Sequence, residues 1–343
     1  MPTHSCLPTQ PPSFFASLLS FGGLHPPRSL RSSPLLSAPL RSQGVTPECP
    51  SGMHCVGGEC QPVAQLNSAP LPPKTRFNGS PTLTKERITG PRAHEMMRVA
   101  DLPTGWDWRD INGTNYLTES RNQHIPLYCG ACWAFGTLSS LNDRIKIARK
   151  AAYPEVVLAP QVLINCGGGG SCDGGNVGGV FDYMEKSGLP DETCQNYEAT
   201  NDGNKCAPLG ICETCSPGKD GAAGTCSQIK APALWTLGDY GYAHGGGNTD
   251  AVGATVGSSD KLKAEIMANG PLACGIHATD KLEAFGTTTA VDTYPGGIFT
   301  EFSIFPIANH ILSITGWGTD AQYGPYWIVR NSWGTYWVRS VRG

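Results

Sequence analysis

The sequence predicts an α+β protein built as two subdomains, a helical front half and a β-rich back half, with a cleft between them. Three observations carry this. From Cys132 onward Phe135, Leu138, Leu141, Ile145 and Ala148 recur every three or four residues, the apolar stripe of an amphipathic helix. Far downstream, "ILSITGWG" (311–318) and "YWIVRNSW" (326–333) are β-branched, aromatic runs bounded by Gly and Pro, which read as strands. Between these regions, 194–226 is an irregular, cysteine-dense stretch whose loops need covalent staples.

Taken in chain order, residues 1–44 read as a leader. "FFASLLSFGGL" (14–24) is a short apolar run flanked by prolines, with no Lys or Arg before it, and is too short to span a bilayer. A signal peptide, a transit-type leader and a misassigned first exon are the open readings. Residues 45–100 have no sustained helical or strand period and read as a prosegment. Denser sequence starts at "ADLPTGWDWRD" (100–110). It opens a globular body over 101–343, helical to about 230 and β-rich from about 231. Arg149 and Lys150 close the stripe that starts at Cys132, where cations suit the end of a helix dipole. Shorter helices are expected at 160–165 and 177–187, and the Gly-rich 243–260 reads as a surface insertion.

Composition narrows the function. With 343 residues the chain has ample core, and a net charge of -3 without blocks of like charge gives no reason to expect nucleic acid. No other segment suggests a membrane span. Fourteen cysteines, ten of them between 129 and 274, point to an oxidising compartment: lysosome or vacuole, or the extracellular space, reached by the secretory pathway. The sequons Asn78-Gly-Ser and Asn112-Gly-Thr fit that route.

The chemistry centres on "QHIPLYCGACWAF" (123–135). Cys132 opens the long helix, where unpaired backbone N–H groups and the helix dipole favour a thiolate over a thiol. A thiolate needs a proton partner, and His310, just before a strand in "ANHILSITGWG", can face a cleft from a rigid edge. Asn331 in "RNSWG" can hold the imidazole tautomer, and Gln123 can pair its side-chain N–H₂ with the Cys132 amide as an oxyanion hole. A Cys-x-x-Cys also suits a redox dithiol or half a zinc site. Trp133 follows the second Cys instead of preceding the first, which disfavours the redox reading. Cys129/Cys132 and Cys212/Cys215 lie too far apart in sequence for a zinc ribbon.

"CGACW" (129–133), "LPTGWDWRD" (102–110), "CGGGGSCDGG" (166–175), "NH" (309–310) and "NSWG" (331–334) occur in the order in which papain-like cysteine proteases carry similar motifs. The chain from about 100 to 337 resembles that family. The resemblance implies a papain-like fold with a helical left subdomain, a β-barrel-like right subdomain and the site in the cleft. It assigns Cys132 as nucleophile, His310 as general acid/base, Asn331 as its orienter and Gln123 as oxyanion donor. Trp333 would shield the Asn–His contact and Gly175 would offer backbone hydrogen bonds to an extended substrate. A thiolate–imidazolium pair with a lowered Cys pKa is implied as well. By the same resemblance Cys129 pairs with Cys172, Cys166 with Cys206, Cys194 with Cys212 and Cys215 with Cys226. It implies no cofactor and no metal, a monomer, and cystatin-like inhibitors as partners.

One departure is informative. The oxyanion glutamine of most papain-like enzymes lies six residues before the nucleophile, and Gln123 lies nine before Cys132. The extra residues fall in "HIPLY", similar to an insertion in a carboxypeptidase branch of the family. There a loop covers the primed side of the cleft and its histidine binds the substrate's terminal carboxylate. His124 would take that role, Pro126 would stiffen the loop, and the substrate would be a peptide or protein with a free C-terminus. Endopeptidase and other exopeptidase activities are the alternatives. His94 and His277 read as structural or surface residues, and Trp317 and Trp327 as core.

Two expectations concern the remaining cysteines. Cys274 has no partner in this scheme, and the chain ends at "VRSVRG" where the family continues into further strands. Together these suggest missing C-terminal strands, and with them a non-catalytic homologue as a competing reading. One of Cys49, Cys55 and Cys60 is also a candidate for a reversible mixed disulfide with Cys132.

Overall fold

The computed structural model describes residues 79–80, 83, 85–201, 206–220, 222–243, 258–285, 297–301 and 308–337, with short strands at 14–16, 53–56 and 59–62. Most of the expected surface insertion, Asn78, Cys6, Cys49 and the last six residues lie outside the described set. Residues 21–75 form a separate unit whose described part is the hairpin β2 (Met53–Val56) and β3 (Glu59–Pro62), with Cys55 opposite Cys60.

The main unit begins with β1 (Phe14–Ala16) and resumes at β4 (Gly79–Ser80) and the short α1 (Ala93–Met96). β5 (Trp106–Asp107) leads to the long α2 (Cys132–Ala148), then α3 (Pro160–Asn165), the strand pair β6 (Gly170–Ser171) and β7 (Gly174–Asn176), and α4 (Val177–Ser187). Local chemistry marks these starts. Pro160 occupies the first turn of α3, where its missing N–H costs nothing, and the Asn176 side chain accepts from Gly179 N at 2.7 Å to cap α4. The cysteine-rich loops then hold the hairpin β8 (Glu213–Ser216) and β9 (Thr225–Gln228). Four disulfides, Cys129–Cys172, Cys166–Cys206, Cys194–Cys212 and Cys215–Cys226, staple this half.

The second half supplies β10 (Tyr240–Tyr242), α5 (Ser258–Asn269), β11 (Leu272–Ile276), α6 (Asp280–Phe285), β12 (His310–Asp320) and β13 (Gly324–Arg330). β10, β1, β11, β12 and β13 form one sheet in that order, and β5 pairs with β12. The described strands make an open sheet, where a barrel-like subdomain was expected. The order is linear, so its first and last strands do not pair. β13 also stops at Arg330, which leaves Asn331–Trp333 outside the strand expected over 326–333.

Core membership crosses the expected boundary near residue 230. Trp108 and Leu117 pack with the β-side core of Leu272, Ile276 and Ile314, while Tyr240, Ala273 and Ile311 join the α2 core around Trp133 and Leu141. The seam is α2 against β12. A Cβ on Gly136 would stand 2.7 Å from both Ile311 Cγ2 and its carbonyl oxygen, so only glycine lets the helix approach this closely. Among the described residues no helix is long and apolar enough to cross a membrane. Trp317 is buried, Trp327 is half-buried, and His94 and His277 are also half-buried.

Candidate active site

That seam places the chemistry. Cys132 is the first residue of α2, and the preceding Ala131 provides no side-chain cap, so the amide end of the helix faces the sulfur uncompensated. His310 is the first residue of β12, and Asn331 follows β13 directly. Adjacent antiparallel strands thus bring histidine and asparagine together, and the packing of α2 on β12 sets the thiol against Ile311, the residue after His310. The amide of Ile311, one residue past His310, lies beside the sulfur and partly opposes the upward push of burial on its pKa.

The hydrogen bonds assign a tautomer. Asn331 Oδ1 accepts from Ser332 N at 2.8 Å, so this atom is the oxygen. It lies 2.8 Å from His310 Nε2, which must therefore be the protonated, donating nitrogen. In the neutral ring Nδ1 then carries the lone pair. The Trp333 ring lies 4.7 Å from the imidazole at a tilt of 33° and is buried, so it keeps water from the Asn–His contact.

Gln123 is completely buried and gripped on several sides. Its backbone N donates to Ser332 O at 2.8 Å, and its Oε1 accepts from Ser332 Oγ at 2.7 Å. The amide orientation follows, and Nε2 donates to Cys129 O at 3.0 Å, with one more N–H available on that nitrogen. His124 stacks flat on Tyr128, 4.6 Å between centroids and 3° between planes. Ile125, Leu127 and Tyr128 are exposed at the tip of this short loop. Burial holds His124 near a pKa of about 4.

The cleft is already spanned by the chain's own N-terminal segment. β4 pairs in parallel with β7, Gly79 opposite Gly175, and Gly79 N donates to Asn309 O at 3.1 Å, so one residue touches both walls. A Cβ on Gly79 would lie 2.9 Å from Cys132 Sγ. The segment then runs along the body. Leu83 is buried with its N–H on Tyr242 Oη at 3.1 Å, Lys85 and Arg87 pair with Glu185, and Arg87 exchanges backbone hydrogen bonds with Tyr240 at 2.8 Å.

One expectation is corrected here. Cys132 is a free thiol, where a mixed disulfide was a candidate, and the residue against its sulfur is a glycine. Burial pushes the Cys132 thiol up to about 11 and His310 down to about 4, against the favourable amides and the Asn331 hydrogen bond. Burial thus works against the charged form of both groups while the site is covered.

The disulfides take Cys129, Cys212 and Cys215 out of any zinc or redox site, and no group of three metal-ligating side chains occurs among the described residues. Cys274 is a buried free thiol in β11. Asn112 is exposed in a turn. Three contributors had not been singled out. Ser332 fixes Gln123, and its place inside "NSWG" was the available signal. Arg330 reaches back to Ser139, Thr118 O and Asp143 Oδ2, the last at 2.6 Å. Tyr197 Oη donates to Gln123 O at 2.7 Å.

The family model for papain family cysteine proteases matches residues 102–341. A cathepsin Z from Onchocerca volvulus is 44% identical over 252 residues, covering 73% of this chain and 72% of that protein. A gut-specific cysteine proteinase from Caenorhabditis elegans is 30% identical, covering 71% of this chain and 68% of the relative. A solved digestive procathepsin L 3 from Tenebrio molitor superposes with a TM-score of 0.47 at 22% identity, over 78% of this chain and 69% of its own. A family model spanning the whole body and a relative matched over most of its length leave one conclusion: the chain belongs to the papain family of cysteine proteases.

Proposed function

We propose that this cysteine peptidase is a carboxypeptidase that removes single residues from peptides with a free C-terminus. The observation that carries the reading is His124, held flat against Tyr128 in the short loop between Gln123 and Cys132. A histidine N–H just past the scissile bond rewards a terminal carboxylate, and the loop that carries it blocks a continuing chain.

In this reading His310 Nδ1 takes the Cys132 proton as sulfur attacks the scissile carbonyl. The oxyanion is received by Gln123 Nε2 and the Cys132 amide. As the C–N bond breaks, His310 returns the proton to the leaving amine and an acyl-thioester remains. Water, deprotonated by His310, then releases the shortened peptide and restores the thiol. Asn331 holds the imidazole, Trp333 shields it, and Gly175 carries the substrate backbone once its place is vacated. Residues 45–100 act as a prosegment, a reading supported by Gly79, which touches both walls of the cleft. Cystatin-like inhibitors as partners, a lysosomal or extracellular location, and glycans on Asn78 and Asn112 belong to the same proposal.

The test is a pair of matched peptides, one with a free C-terminal carboxylate and one amidated, turned over by the proteolytically activated chain. The expectation is strong preference for the free acid, its loss in His124→Ala, and no activity in Cys132→Ser. Equal turnover of both peptides refutes the carboxypeptidase reading in favour of an endopeptidase.

A further inference from the structure

We propose that Tyr197 is a positioning residue that sets the peptide plane between Gln123 and His124, and so aligns the oxyanion donor and the carboxylate-binding histidine together. This rests on the roles given to those two residues above. Gln123 is fully buried, and its N–H, Oε1 and one Nε2 hydrogen are engaged by Ser332 and Cys129, the other Nε2 hydrogen being the one left for the oxyanion. Its carbonyl is the remaining polar group, and Tyr197 Oη, 74 positions away, donates to it at 2.7 Å. That carbonyl belongs to the peptide unit joining Gln123 to His124. Turning the plane moves both side chains at once, and a buried acceptor without a donor favours such a turn.

The hydroxyl is delivered by a rigid platform. Glu198 N donates to Gln161 Oε1 at 3.0 Å, Gln161 Nε2 donates to Thr200 O at 3.1 Å, and Cys194–Cys212 closes the loop on the other side of Tyr197. The tyrosine ring meets Phe135 edge-on at 4.7 Å, and Phe135 lies one helical turn after Cys132. The Arg121 guanidinium stands 5.1 Å from the same Phe135 ring and pairs with Glu192. The loop, α2 and the segment at 121–124 therefore share one stack. Burial raises the phenol pKa, so the hydroxyl stays a donor across the working range.

Tyr197→Phe keeps the ring against Phe135 and removes only the donor. In the full chain activated by limited proteolysis, kcat should fall roughly tenfold and the preference for free-acid over amidated peptide should shrink several-fold, the scale of one lost buried hydrogen bond. The unfolding midpoint reports separately on the fold. In a Gln123→Ala background the same substitution should lower kcat far less than tenfold, because the part of its effect that passes through the oxyanion donor is already gone. A merely structural tyrosine would lower kcat in both backgrounds alike, and that result overturns the proposal, as does unchanged kcat in Tyr197→Phe. If the parent enzyme shows no free-acid preference, the carboxypeptidase reading fails by itself, and kcat in the two backgrounds still decides the role of Tyr197.

Discussion

Replacing Gly79 by alanine puts a methyl group 2.9 Å from Cys132 Sγ, 2.9 Å from Ile311 Cγ1 and 3.2 Å from Ile311 N. These are overlaps, since comfortable carbon contacts begin near about 3.5 Å. Neither wall can yield. Ile311 is fully buried and pressed against Gly136 of α2, and Cys132 is fixed at the helix start. The covering segment must therefore lift while its anchors at Leu83, Arg87 and Thr89 remain. Overpacking of this kind costs about 1–3 kcal/mol, which raises the uncovered fraction roughly 5- to 150-fold. Iodoacetamide reads this directly in the uncleaved chain, because alkylation of Cys132 needs an uncovered sulfur. At fixed pH the Gly79→Ala chain should react faster by a factor in that range, with an unfolding midpoint close to that of the parent. Alkylation at the parental rate would refute the reasoning, as would acceleration fully explained by a fall in global stability.

Two further outcomes follow from buried charge. Arg330→Met leaves Asp143, completely buried, without the partner that sits 2.6 Å away, and should cost about 3–5 kcal/mol in urea unfolding; adding Asp143→Asn should restore part of it, and an unchanged midpoint in the single variant refutes the clamp. His310 and His124 are held down to about 4 by burial in the folded chain, against 6.5 for the unfolded one. The folded values are depressed and the charged form is the acid, so the unfolded chain binds more protons between pH 6.5 and 4. Stability must therefore fall as pH drops through that window, by on the order of 3 kcal/mol for the fully buried His310. Denaturant midpoints across pH 4–7 should show this slope, weakened in His310→Ala; a flat profile in the parent refutes it.

Several parts of the site were legible from short stretches of chain. The stripe from Phe135 to Ala148 makes a helix whatever surrounds it, and Cys132 at its start follows from that alone. His310 and Asn331 sit at the ends of β-branched runs, so their placement at strand edges needed only local pattern. The disulfide pairs were another matter, supplied by resemblance, because spacing alone does not choose among connectivities.

What tertiary structure decided lies in contacts between distant segments. Tyr197 meets Gln123 across 74 positions, and Arg330 meets Ser139 across 191, with no periodicity or motif linking either pair. Gly79 looked like one glycine in an unpatterned stretch, and only the cleft shows why a side chain has no room there. The ionisation state of the thiol was decided at the same level. The sequence by itself determined which groups are present and which of them start a helix or a strand. Burial disfavours the charged forms of Cys132 and His310, and that push could not be read from the sequence, because desolvation acts through space and leaves no mark on neighbouring residues in the chain.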